Sequence, residues 1–122
     1  MTTVRGILIP ATGAPSVHDF PAEYDGQLLE GLQRAVGGWI EAVVVGGPDH
    51  AVIGEPHTIY LNEEGKLQGL PVNDVATRLT RGILPAWDMV VGDVVLVRTD
   101  EDGDTISVTD QAIAAIVSGE GA

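Results

Sequence analysis

The pattern of apolar and polar positions predicts short strands alternating with helices along the chain. Segment 3–10 is β-branched and aliphatic and ends at a proline, which predicts a first strand. Residues 11–25 contain Gly13 and two prolines, which break regular structure, so we interpret them as a surface loop. Apolar residues then recur at steps of three and four, which predicts a helix over 26–36 with Asp25 as its N-cap and two glycines at its end.

The middle of the chain is predicted to form a buried strand, a hairpin and a second helix. Residues 39–46 are apolar apart from Glu41, as is typical of a strand covered on both faces, and the preceding helix suggests a βαβ or split βαβ unit. The run "YLNEEGKLQGLPVN" completes a predicted hairpin over 57–69, in which Gly65 takes positive φ. Its three leucines (Leu61, Leu67 and Leu70) are expected to point inward. Asn73 is the predicted N-cap of a helix over 73–82.

The last third predicts a hairpin followed by a helix. Two apolar runs flank a turn at Asp102-Gly103, which indicates a hairpin over 90–108. Thr109 is the predicted N-cap of a helix over 110–118 that ends at Gly119 and leaves a frayed tail. A chain of 122 residues supports one hydrophobic core. We therefore predict a single small α+β domain, with a mixed, mostly antiparallel sheet of about five to six strands packed by about three helices.

Charge and composition limit the partners and the cellular compartment that we expect for this domain. Six Lys and Arg against eighteen Asp and Glu give a formal charge of −12, which repels a phosphate backbone and argues against direct nucleic-acid binding. The same charge suits a basic protein partner, or serves only solubility. The lack of cysteine fits a reducing cytosol, and no segment reads as a signal peptide or a membrane span. We expect a cytoplasmic protein with no membrane contact. Both a monomer and a homo-oligomer are compatible with the sequence.

The residues that could carry chemistry do not form a known motif. Three aspartates alternate over 100–104 as in a calcium loop, but the glycine and glutamate that an EF-hand requires stand elsewhere, which favours a charged hairpin turn. The three histidines lack zinc-site spacing, and no phosphate-binding or nucleophile-elbow motif occurs. We predict no catalytic residue, metal ligand or cofactor, and we do not expect an enzyme.

Aromatic and acidic residues are the candidates for contact with a partner. Tryptophan is over-represented at binding hot spots, although either tryptophan could instead belong to the core and the acids could be solvated turn residues. The candidate residues are Trp39, Glu63, Glu64, Trp87, Asp100 and Asp102.

Three segments together resemble a known family. "LQRAVGGWIEAV" (32–43), "YLNEEGKLQGLPVN" (60–73) and the strand "VGDVVLV" (91–97) with its hairpin are similar to a small domain of unknown function numbered 3846. The resemblance implies a gene product of phages, prophages or conjugative elements, and it assigns no catalytic residue.

These observations lead to two expectations for function. The first is a non-enzymatic phage or mobile-element protein that binds a host protein, in a host-takeover or anti-defence role. The alternative is a small-molecule-binding protein whose ligand is a nucleotide signal. That alternative requires phosphate contacts from arginines, for which the candidates are Arg5, Arg34, Arg78 and Arg81.

Overall fold

The protein folds around one antiparallel sheet, seen in a computed structural model that describes residues 2–50 and 52–118. In these residues the elements are β1 (Thr3–Ile9), β2 (Ser16–Pro21), α1 (Gln27–Val36), β3 (Ile40–Val45), β4 (His57–Asn62), α2 (Asp74–Leu79), β5 (Val94–Thr99), β6 (Thr105–Ile106) and α3 (Asp110–Ile116). The strand order is β2-β1-β5-β4-β3, with β6 paired to β5, and each of these pairs is antiparallel. The predicted α+β class is confirmed.

Strand β5 lies at the centre of the sheet and is buried on both faces. Val94 and Leu96 pack in one apolar cluster with residues of α2 and α3, whereas Val95 and Val97 pack in a second cluster with residues of α1. All four side chains are 0% exposed. The domain therefore has three layers, with α1 on one face of the sheet and α2 and α3 on the other. Within the described ranges, no helix has the length and apolar character to cross a membrane.

Helix α1 occupies the predicted range but begins differently. Its N-cap is Gly26 at φ 87°, without a side-chain cap bond, so the prediction of Asp25 as the cap is wrong. The positive φ at Gly26 turns the chain into the helix, and Asp25 stands one residue too early to serve. At the other end Gly37 has φ 82° and donates its N–H to the Gln33 carbonyl, which confirms the glycine stop.

The predicted loop over 11–25 contains a strand. Residues 16–21 form β2, which pairs with β1 along its length, and Phe20 is buried against Leu32 of α1. We interpreted the prolines as loop signals, but β2 is an edge strand, where Pro15 and Pro21 remove no ladder bond that the sheet needs.

Strand β3 is not covered on both faces, contrary to the prediction for 39–46. It is the outermost strand on its side of the sheet, and Glu41, Ala42 and Val44 are exposed. The doubly covered strand is β5 instead. Because α1 joins β2 to β3, it connects opposite edges of the sheet, so a βαβ unit of neighbouring strands is wrong. The split alternative agrees with the structure, since β2 and β3 run parallel with three strands between them.

The predicted hairpin over 57–69 has only its first strand. After β4 the chain forms consecutive turns over 63–69. The buried Asn62 side chain holds them, since its Oδ1 accepts the Glu64 N–H at 2.9 Å and its Nδ2 donates to the carbonyl of Val36 and to Gln68 Oε1. Such local side-chain bonds compete with strand pairing, which explains why no second strand forms.

Two details within those turns also differ from prediction. Gly65 is not among the positive-φ glycines; it is required for space, because a Cβ there would lie 2.9 Å from Val91 Cγ2. The left-handed position is Gly69, at φ 69°. Leu67 is 88% exposed rather than inward, whereas Leu61 and Leu70 are half-buried.

The last third follows the prediction with shorter elements. The hairpin of β5 and β6 forms, although its first strand begins at residue 94 rather than 90. Val91 forms only an isolated bridge with Val72, and Gly92 at φ 78° interrupts the extended backbone after it. Thr109 caps α3 by accepting the Ala112 N–H, as predicted. Helix α2 ends at Leu79, short of residue 82. The predicted end of α3 at Gly119 and the frayed tail lie outside the described residues.

Asn73 ties three parts of the fold together. Its Oδ1 accepts the Ala76 N–H at 3.0 Å, which confirms the predicted N-cap of α2. Its Nδ2 donates to the Ile9 carbonyl at the end of β1 and to the Gly92 carbonyl ahead of β5, both at 2.9 Å. Asn73 is 0% exposed, so these groups have no water to replace it.

We expect Asn73→Ala to lower the free energy of unfolding by about 3 kcal/mol or more, because two buried carbonyls lose their donor in addition to the lost cap. Asn73→Asp is the matched control for the cap, since its carboxylate can still accept the Ala76 N–H but cannot donate. Urea unfolding should therefore find both variants strongly destabilised. A loss of only about 1 kcal/mol in Asn73→Asp would contradict the role of the two donated bonds.

Candidate functional site

The outer edge of β3 presents unpaired backbone groups. The Glu63 N–H donates to the Trp39 carbonyl at 2.9 Å, which makes these two residues a hydrogen-bonded pair of the β3–β4 ladder. Because such pairs alternate in an antiparallel ladder, the N–H and C=O groups of Ile40, Ala42 and Val44 point away from β4. These three residues offer donors and acceptors to a further strand.

The side chains along this edge do little to protect it. Glu41 is the only charge within β3, and Trp39 and Val44 are 67% and 62% exposed. Natural sheets usually blunt an edge with charges or prolines. The opposite edge strand, β2, has both, since Pro15 precedes it, Pro21 ends it, and Asp19 lies on it. The two edges of the sheet therefore differ, and β3 is the open one.

A groove of about 140 Å³ lies beside this edge, on the face that α2 and α3 cover. Apolar side chains from β3, β4 and the 84–91 segment line it, and carboxylates stand among them. The lining includes Val43, Leu61, Leu67, Leu84 and Met89 together with Glu41, Glu63, Lys66 and Asp88. The Lys66 ammonium pairs with the Asp88 carboxylate, whereas Glu41 and Glu63 belong to none of the ion pairs found in residues 2–50 and 52–118.

The structure brings together only some of the predicted contact residues. Trp39 and Glu63 meet through their backbone bond at the β3 edge, and the exposed Glu64 follows in the same turn. Trp87 is 80% exposed and belongs to the 82–89 segment, which lines a hollow of about 660 Å³. This hollow adjoins the groove, since Leu84, Asp88 and Met89 line both.

Asp100 and Asp102 lie near the start of β4, at the opposite end of this strand from Trp39 and Glu63. Thr58, near the start of β4, pairs with Val97, and the turn that carries both aspartates follows β5 directly. The carboxylates of Asp100, Asp102 and Asp104 approach within 4.8 Å of one another. The Asp100 Oδ1 accepts the backbone N–H groups of the other two, which is the arrangement of a hairpin turn.

Two histidines have structural roles. The His50 Nε2–H donates to the Leu79 carbonyl at 2.8 Å, and its Nδ1 accepts the N–H groups of Val52 and Ile53. His57 donates from Nδ1 to the Glu55 carbonyl and accepts the Thr109 N–H at Nε2. Each ring thus joins a loop to a helix through hydrogen bonds at both of its nitrogens.

We expect His57 to make the stability of the protein depend on pH. Burial lowers the pKa of His57 below 6.5, and the nearby Arg98 acts in the same direction. Its contribution is therefore full above about pH 6.5 and falls as the pH drops toward the lowered pKa, by up to about 1.4 kcal/mol per pH unit.

Urea unfolding of the wild type and His57→Gln from pH 7.5 to 5 measures this dependence. The wild type should lose stability more steeply below pH 6.5, since glutamine does not titrate. Parallel losses in the two proteins would contradict the assignment.

The four arginines considered for phosphate binding lie in different places. Arg5 pairs with Asp19 at 3.1 Å between β1 and β2. Arg34 lines a shallow hollow beside β2, Arg78 a hollow between α2 and α3, and Arg81 the hollow beneath the Trp87 segment.

The fold and its open edge define a class of protein, a small antiparallel α+β domain with helices on both sheet faces and one uncovered edge strand. The chain belongs to the family described as domain of unknown function DUF3846, whose model matches residues 4–118. This match confirms the resemblance seen in the three sequence segments. No curated protein and no solved structure matches the chain.

The open edge was the main feature that sequence reasoning missed. The apolar run of 39–46 was interpreted as central, which placed its backbone groups inside the sheet. One signal was available in the sequence, because Glu41 interrupts this run whereas the four residues of β5 from 94 to 97 carry no polar side chain.

Proposed function

We propose that this chain is a non-enzymatic protein-binding domain of a phage or other mobile element, which acts in the host cytoplasm by adding a strand of a host protein to β3. The observation that carries this proposal is the open edge of β3, with its outward backbone groups and exposed Trp39 and Val44. Strand addition of this kind provides affinity through main-chain hydrogen bonds and specificity through alternate side chains.

The expected strength of such binding is modest unless side chains contribute. A net contribution of about 0.5 to 1.5 kcal/mol per hydrogen bond is typical, and the backbone groups of three β3 residues point outward. Ordering the incoming segment offsets part of this gain. An exposed tryptophan at one end of the edge is the kind of residue that supplies the remainder, and Trp39 stands there.

The charge distribution supports a protein partner over a nucleotide signal. Phosphate groups are usually bound by converging cations, and the arginines here line separate hollows. A formal charge of −12 favours approach of a basic protein surface and disfavours nucleic acid.

The test removes one outward hydrogen bond without changing the ladder to β4. Ala42→Pro deletes an N–H that points away from β4, and a proline is tolerated at such an edge position. Ala42→Val is the matched control, because it adds bulk on the same face and keeps the N–H. Urea unfolding should place both variants within about 1 kcal/mol of the wild type.

Pull-down from host lysate, with quantification of the captured protein, then decides the proposal. Wild type and Ala42→Val should capture the same partner, and Ala42→Pro should lose it. Equal capture by Ala42→Pro, or no capture by any of the three, would contradict strand addition. Light scattering of the wild type and Ala42→Pro provides a further check. A wild-type dimer that Ala42→Pro dissociates would mean that a second copy of this chain, rather than a host protein, pairs with β3.

A further inference from the structure

The groove beside β3 lies where a side chain of an added strand would project. Glu41 pairs with Leu61 and Val43 with Ile59, so these four side chains share one face of the sheet. The groove is on that face. A residue of the added strand that stands opposite Glu41 would therefore project its side chain over the groove.

The lining of the groove suits one kind of side chain. Leu61 and Met89 offer apolar contact to an aliphatic stem, while the carboxylates of Glu41 and Glu63 offer two acceptors to a cation. Arginine and lysine combine these two properties, with an apolar stem that ends in a charged head. The groove already holds one such arrangement within the chain, the pair of Lys66 with Asp88.

A second copy of this chain fits the groove poorly. Segment 39–45 contains no lysine or arginine. In a β3–β3 pairing, Glu41 would face an apolar residue or another glutamate, and like charges placed directly opposite are destabilising.

We infer that the strand added to β3 carries an arginine or lysine opposite Glu41, whose side chain lies in the groove and pairs with Glu41 and Glu63. This inference rests on the proposed function, because the cation reaches the groove only from a strand on β3. The partner accordingly presents an extended segment with apolar or β-branched residues around one cation.

A peptide titration tests the inference with defined probes. The probes are short acetylated and amidated peptides of alternating valine and threonine, with arginine, its neutral isostere citrulline, or glutamate at the centre. Binding is followed by amide shifts of the isotope-labelled chain, in which Ala42 reports on the edge of β3. At low salt the arginine peptide should bind about three- to fivefold more tightly than the citrulline peptide, and the glutamate peptide most weakly.

Two charge-neutralising variants separate a local ion pair from general attraction. Glu41→Gln should abolish the preference for arginine over citrulline. Glu30→Gln removes the same charge from an exposed position of α1, on the other face of the sheet, and should retain the preference. Added salt should reduce the preference in the wild type.

The outcomes distinguish this inference from the proposed function. Equal binding of the arginine and citrulline peptides, with shifts at Ala42, would overturn the cation site and leave strand addition standing. A preference lost equally in Glu41→Gln and Glu30→Gln would also overturn it. If no peptide shifts Ala42, strand addition and the cation site both fail.

Discussion

Burial of β5 on both faces is the constraint on which the rest of this fold depends. Val94 to Val97 are fully buried, and their side chains alternate between two apolar clusters. A strand of this kind is stable only if each sheet face is covered, because each large aliphatic side chain is worth about 1.5 to 3 kcal/mol when removed from water. Helix α1 covers one face, and α2 with α3 covers the other. The three-layer arrangement follows.

Two buried asparagines form the hydrogen bonds that backbone groups need where this arrangement removes them from water. Chain segments that enter and leave a central strand bring backbone groups into the interior, where an unpaired group costs about 1 to 3 kcal/mol. Asn73 satisfies such groups where β1 ends and β5 begins, and Asn62 does so where β4 ends. In the described part of the chain, no buried side-chain nitrogen or oxygen lacks a hydrogen-bond partner. The "YLNEEGKLQGLPVN" segment is thus scaffold at both asparagines, while Glu63 between them lines the groove.

The two outer strands of the sheet, β2 and β3, differ in how well their edges are protected from pairing with another strand. Prolines flank the outer strand β2, and its Asp19 pairs with Arg5. Strand β3 has an apolar edge with one glutamate, next to a groove with two carboxylates outside the described ion pairs. The proposal of strand addition rests on this asymmetry. An exposed, apolar edge risks non-specific pairing unless a partner covers it.

Local patterns in the sequence determined the class of the fold, several elements and the N-caps of α2 and α3. The periodicity of α1, the turn between β5 and β6 and the caps at Asn73 and Thr109 all depend on neighbours within a few residues, which is why they could be predicted. What only the tertiary structure decided was strand order. Two apolar runs, 39–45 and 94–97, differ in polar content only by Glu41, yet one is an edge and the other the centre. Their places depend on which strands pair across long separations. The open edge of β3 and the groove that Glu41 and Glu63 both line therefore exist only in the folded chain.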